Sequence, residues 1–227
     1  MGGNSEPETV RAYHLTSTDH AISNISLRRL KVARLSEVND PFELFGLDCM
    51  DKRRRQALDE FKHLQDKTTG MLCFSKHWKN PVLWSHYAAG GRGIALGFDV
   101  KKTIGMRGVL EVRYENNKLK ALGDQPGPIS KEFQELLLVT KFKHWEYEEE
   151  LRVFLSLSEA LREDRRFFFP FNQQLRLKEV VLGPQCPATP DSIRKLVHAT
   201  NPGATVCKAR LGFKYFEVKE DARYRAR

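Results

Sequence analysis

Apolar and polar positions along the chain fall into short runs of two kinds. Val10–Thr16 (VRAYHLT), Lys31–Leu35, Met71–Ser75 (MLCFS), Ile94–Asp99 (IALGFD) and Val109–Tyr114 (VLEVRY) have the length and the β-branched or aromatic content of strands. The last two read as hairpin or meander neighbours. Leu151–Leu157, Phe167–Phe171, Lys178–Leu182, Thr205–Leu211 and Tyr215–Val218 extend the set. Other stretches carry helical spacing. Ser17 or Thr18 caps a helix bearing Ile22, Ile25 and Leu30, and Leu58, Phe61 and Leu64 form one face of residues 51–66. Pro81 opens a helix with Leu83, Trp84, Tyr87 and Ala88 on one side, which glycines 90, 91 and 93 end. Ser130 starts another that includes Phe133, Leu136, Leu137 and Thr140 and runs through Phe142, and Pro190–Thr200 (PDSIRKLVHAT) is a further helix.

Two linking segments stand out. In NDPFE (39–43), Asn39 and Asp40 precede Pro41, which pushes its neighbour out of helical geometry and predicts a turn with Phe42 plugged into the core. In WEYEEELRVFLSL (145–157), acids and aromatics feed into a strand; an early strand start puts Glu148, Glu150 and Arg152 on one face. Strands outnumber helices and come in adjacent groups. The pattern predicts an α+β fold with a mixed, mostly antiparallel β-sheet and surrounding helices, in one domain over residues 10–220. A disordered segment (1–9) precedes it and a basic tail (221–227) follows.

Composition narrows the function classes. The chain has 227 residues, 41% of them hydrophobic, enough for a substantial core. No apolar run approaches the roughly 18 residues of a membrane span, and the first residues lack a signal-peptide layout, so a cytoplasmic protein with no membrane partner is expected. Cys49, Cys73, Cys186 and Cys207 form no CxxC pair, which predicts free thiols and no zinc site. A net charge of +9, partly gathered in DKRRR (51–55), REDRR (162–166) and RYRAR (223–227), favours polyanionic partners such as nucleic acid or a dinucleotide. Neither GxGxxG after a strand nor GxxxxGK[ST] is present.

Candidate chemistry concentrates in few residues. Ser85 and His86 are neighbours on a helix and diverge by about 100°, which disfavours a triad, and His77 and His86 lack metal-ligand spacing, so no metal is expected. Trp84 and Tyr87 serve either as core or as the wall of a site for a flat ring. Glu148 and Glu150, flanked by Trp145 and Tyr147, are either an acidic turn or desolvated carboxylates able to stabilise developing positive charge.

Taken in order, Tyr13-His14, Asn39 to Glu43, Cys73 to Ser75, Trp84 to Ala88, Gly93 to Asp99 and Trp145 to Arg152 resemble the bacterial domain-of-unknown-function family 2971, over roughly residues 11–185. Leu151 departs from that family, which often has Trp there. An aromatic-His strand, a Tyr-bearing middle element and a Glu opening a late strand are similar, more distantly, to the His-Tyr-Glu ADP-ribosyltransferases, whose split, mostly antiparallel sheet binds NAD in a cleft. That resemblance implies an NAD-consuming ADP-ribosyltransferase-like enzyme, a toxin or phage-defence effector acting on nucleic acid or protein. It places His14 on the adenosine-side ribose, Tyr87 against nicotinamide and Glu150, with Glu148 as the other candidate acid, at the reacting ribose. Tyr13, Ser75, Trp84 and Arg152 complete the implied cofactor-binding set. A different class of function is a nucleic-acid-binding or nuclease-like module in which Trp78, Trp84 and Tyr87 stack on bases; a third is a non-catalytic interaction domain. The oligomeric state stays open.

Overall fold

The computed structural model describes residues 8–44, 46–48, 52–120 and 130–224. Residues 1–7 and 225–227, most of the expected disordered segment and the end of the basic tail, lie outside the described residues, as do Cys49 and residues 121–129.

β1 (Thr9–Thr16) leads into α1 (Thr18–Leu27), capped by the Ser17 hydroxyl, which accepts from the His20 amide. Arg28, at φ 51°, ends that helix in the left-handed conformation, so Leu30 falls in β2 (Arg29–Arg34) and not on the helix. α2 (Lys52–Thr68) buries Leu58 and Phe61 but leaves Leu64 exposed, and β3 (Thr69–Ser75) follows directly. α3 (Pro81–Tyr87) starts with Pro81 behind an Asn80 cap and precedes β4 (Ile94–Lys101).

The run 109–114 divides into β5 (Val109–Glu111) and β6 (Arg113–Glu115), and β5 pairs with a later strand, not with β4 as expected. α4 (Lys131–Val139) stops short of Phe142, because the β-branched Thr140 opens β7 (Thr140–Phe142), which pairs in parallel with β6. A 3-10 turn over Lys143–Glu148 leads to β8 (Glu150–Ser156). The remaining elements are β9 (Leu161–Glu163), β10 (Arg166–Pro170), β11 (Leu175–Leu182), α5 (Pro190–Thr200), β12 (Thr205–Leu211) and β13 (Val218–Glu220). The strand expected at Tyr215 therefore begins only at Val218.

The fold is α+β with a mixed, mostly antiparallel sheet in the order β13-β12-β11-β4-β1-β3-β2-β10-β9, with β8 beside β3 and β5 beside β8. Among the described strands only β11–β12, joined through α5, and β6–β7 are parallel. α1 and α5 cover one face through Ala21, Ile25, Ile193 and Val197; α2, α3 and α4 cover the other through Leu58, Leu83, Trp84 and Leu137.

One feature of the register positions the site. β1 shares eight registered pairs with β4 but a single one with β3, Tyr13 opposite Ser75. Further along, β3 pairs β2 through Met71 and Gly70, while its other edge is occupied by β8 from Thr69 to Ser75. β1 and β2 thus meet the same edge of β3 at opposite ends, and the sheet forks around Leu72, Cys73 and Phe74.

Candidate active site in the fork of the sheet

The fork opens onto a cavity of about 310 Å³. Its polar wall includes His14 from β1, Glu37, Asn39 and Glu43 from the segment after β2, Cys73 and Ser75 from β3, Tyr87 from the end of α3, Lys141 from β7, and Glu148, Glu150 and Arg152 around the start of β8. Local structure explains how the last three come together. Glu149 stands at φ 42°, so the chain reverses between the 3-10 turn and β8, and Glu148 and Glu150 approach the same cation, Lys141, from different elements.

Charge is paired throughout. All five N–H groups of Arg152, which is 1% exposed, are used: two bond Glu43 at 2.7 and 2.9 Å, two bond Glu150 at 2.9 and 3.0 Å, and one bonds the Leu138 carbonyl at 2.7 Å. Buried Lys141 bonds Glu148 and lies 3.3 Å from Glu150. Tyr87 donates its O–H to the other oxygen of Glu148 and accepts from the Asn39 side chain at 2.9 Å. The Ser75 hydroxyl donates to the Glu148 carbonyl at 2.6 Å, and the Tyr114 hydroxyl accepts from the Glu150 amide at 2.8 Å.

These environments separate the two acids. Burial pushes the Glu150 carboxyl up, but Arg152 and Lys141 outweigh it and hold the group at about 2. Glu148 goes the other way: burial, with Glu150 nearby, raises it despite Lys141. Burial beside Glu148 also raises Tyr87, so the phenol stays a donor. His14 lies 3.1 Å by Nδ1 from the Cys73 carbonyl, which can only accept, so Nδ1 carries the proton; burial lowers its pKa and leaves a neutral ring with Nε2 as an acceptor.

Of the residues picked from sequence, Tyr13, His14, Ser75, Tyr87, Glu148, Glu150 and Arg152 all line this cavity. Their parts differ. Tyr13 sends its hydroxyl across β4 to Glu179 at 2.9 Å, and Ser75 and Arg152 are occupied in holding the two glutamates. Trp84 is a correction: it is 2% exposed, packs edge-to-face on Trp78 and donates its indole N–H to the Trp78 carbonyl at 2.6 Å. It is core, as is Trp78 at 7% exposure, so neither ring is available for base stacking. Phe42 is also a correction, because it is 53% exposed while Glu43 beside it is buried against Arg152.

Sequence reading missed four residues of the polar shell: Asn39, Glu43, Tyr114 and Lys141. NDPFE was visible as a turn, but nothing local announced that two of its side chains enter the site. Lys141 fell on an expected helix and carried no signal. No group of three or more potential metal-ligating side chains occurs among the described residues. No protein-family model, curated protein or solved structure matches the chain.

Proposed function

We propose that this chain is an ADP-ribosyltransferase-like enzyme that takes NAD in the fork between β1 and β3. The observation that carries the reading is the convergence of His14, Tyr87 and Glu148 on one cavity from three separate elements. The ordered motifs resembling the domain-of-unknown-function family 2971 fall largely on the same walls.

Chemistry within the cavity supports the assignment. Four carboxylates, Glu37, Glu43, Glu148 and Glu150, line it against two cations, both already paired. Such a wall favours the cationic nicotinamide riboside end and leaves the pyrophosphate outside. At the low end of the roughly 300–1,000 Å³ typical of small-molecule sites, the volume fits a nucleoside-sized group. Neutral His14 accepts a hydrogen bond from a ribose hydroxyl at Nε2.

In the reaction, the bond between ribose C1′ and the nicotinamide nitrogen breaks, and its electron pair leaves with the now neutral nicotinamide. Positive charge at C1′ is stabilised by a carboxylate in a dry site, as in glycoside cleavage. We assign that role to Glu148, because the Arg152 guanidinium holds both oxygens of Glu150, whereas one oxygen of Glu148 meets only the neutral Tyr87 hydroxyl. The acceptor's nucleophilic atom then bonds to C1′ and gives up its proton to solvent water. Cys73 and Cys186, both free thiols, fit a reducing, cytoplasmic setting.

The test is nicotinamide release from NAD, followed by chromatography, with wild type and Glu148→Gln. Release by wild type reduced at least about 100-fold in the variant supports the assignment. Folded wild type that neither binds nor cleaves NAD overturns it.

A further inference from the structure

A second cluster of aromatic and basic side chains stands well outside the cavity, at the edge of the sheet. β12 and β13 form a hairpin, registered from Leu211 opposite Val218 to Ala209 opposite Glu220. Its loop, GFKYFE (212–217), is closed by Gly212 donating to the Glu217 carbonyl at 2.8 Å. The hairpin is anchored: Val218 is 1% exposed and its amide donates to the Lys79 carbonyl at 2.7 Å.

At the tip the pattern inverts. Phe213 is 92% exposed, Tyr215 64% and Phe216 fully exposed, although a folded protein gains by burying such rings. Cations accompany them, with the Arg210 guanidinium 4.5 Å from the Phe213 ring and the Lys214 ammonium 5.1 Å from that of Tyr215.

We propose that this hairpin tip binds single-stranded nucleic acid, its rings stacking on unpaired bases and Arg210 and Lys214 engaging the backbone phosphates. Three exposed rings with Lys214 among them and Arg210 at the base of the loop put stacking faces beside positive charge, as a single strand puts bases beside phosphates. The chain's net charge of +9 has the matching sign. A duplex hides its base faces and offers no such stacking surface. Three rings of about 150–250 Å² each fall below the roughly 800 Å² per partner of a stable protein interface, which argues against a second copy as the occupant. A single exposed aliphatic side chain beside them, Leu211, provides little for insertion into lipid. The proposal needs no NAD chemistry, and a binding assay without NAD tests it separately from the transferase reading.

The experiment is fluorescence anisotropy with full-length protein and labelled single strands of about twelve nucleotides, RNA and DNA in separate arms, against a duplex of the same sequence and vesicles of anionic phospholipid. Wild type is expected to bind at least one single strand more tightly than the duplex, with affinity falling as salt rises. The triple change Phe213→Ala, Tyr215→Ala and Phe216→Ala is expected to weaken binding at least about tenfold with an unchanged circular dichroism melting curve, since these rings are exposed. No binding of either strand, equal binding by the triple variant, equal affinity for the duplex, or binding of vesicles alone overturns the proposal.

Discussion

Glu43, in the turn that follows β2, and Arg152, in β8, meet through two parallel hydrogen bonds of 2.7 and 2.9 Å although 109 positions separate them. Both are buried, and the pair ties the NDPFE turn to the strand that carries Glu150. Removing one partner of a buried pair leaves the other charge unpaired, at a cost of about 3–5 kcal/mol. Glu43→Gln should therefore shift urea unfolding to markedly lower midpoints, and an unchanged midpoint would show that the pair adds nothing.

Acid should weaken the fold through Glu150. Its pKa of about 2 lies below the unfolded value near 4.3, so its contribution is fully present above about pH 5 and is lost as pH falls toward 2. The difference corresponds to roughly 3 kcal/mol. Glu150→Gln should be the less stable protein at pH 7, with the gap to wild type closing by about pH 2 in urea titrations. A gap independent of pH would contradict this linkage.

Lys141 is expected to set the working pH of Glu148. The lysine favours the ionised carboxylate against burial and Glu150, so its loss raises the Glu148 pKa further. In Lys141→Met, the acid limb of the kcat/KM profile for nicotinamide release should move to higher pH, while kcat/KM at high pH recovers toward wild type. A uniform drop at every pH would mean that the lysine is only structural.

Trp84 separates core from site. Trp84→Phe deletes the N–H that satisfies the Trp78 carbonyl and should cost about 1–3 kcal/mol of stability. NAD affinity, measured calorimetrically below the melting temperature, should stay within about twofold of wild type, because this ring does not line the cavity. A tenfold loss of affinity would return Trp84 to the site.

Local sequence determined the element types and the fold class: periodicity of two or 3.6, the Ser17 and Ser130 caps and Pro81 act within a few residues and are written in the chain. The order in which His14, Tyr87 and the two glutamates occur is likewise written in the chain. Tertiary structure decided the rest. The pairing of β5 with β8 in place of β4 and the single Tyr13–Ser75 pair that opens the fork depend on partners far along the chain. The same holds for side chains. Trp84 and Tyr87 sit on one short helix, yet packing against Trp78 takes the first into the core while Asn39 and Glu148 hold the second at the cavity. Glu148 and Glu150 are two positions apart in composition-matched surroundings, but only the three-dimensional arrangement of Arg152 and Lys141 drives one pKa down and leaves the other raised. Coulomb energy depends on distance in space, and spacing along the chain does not contain that distance.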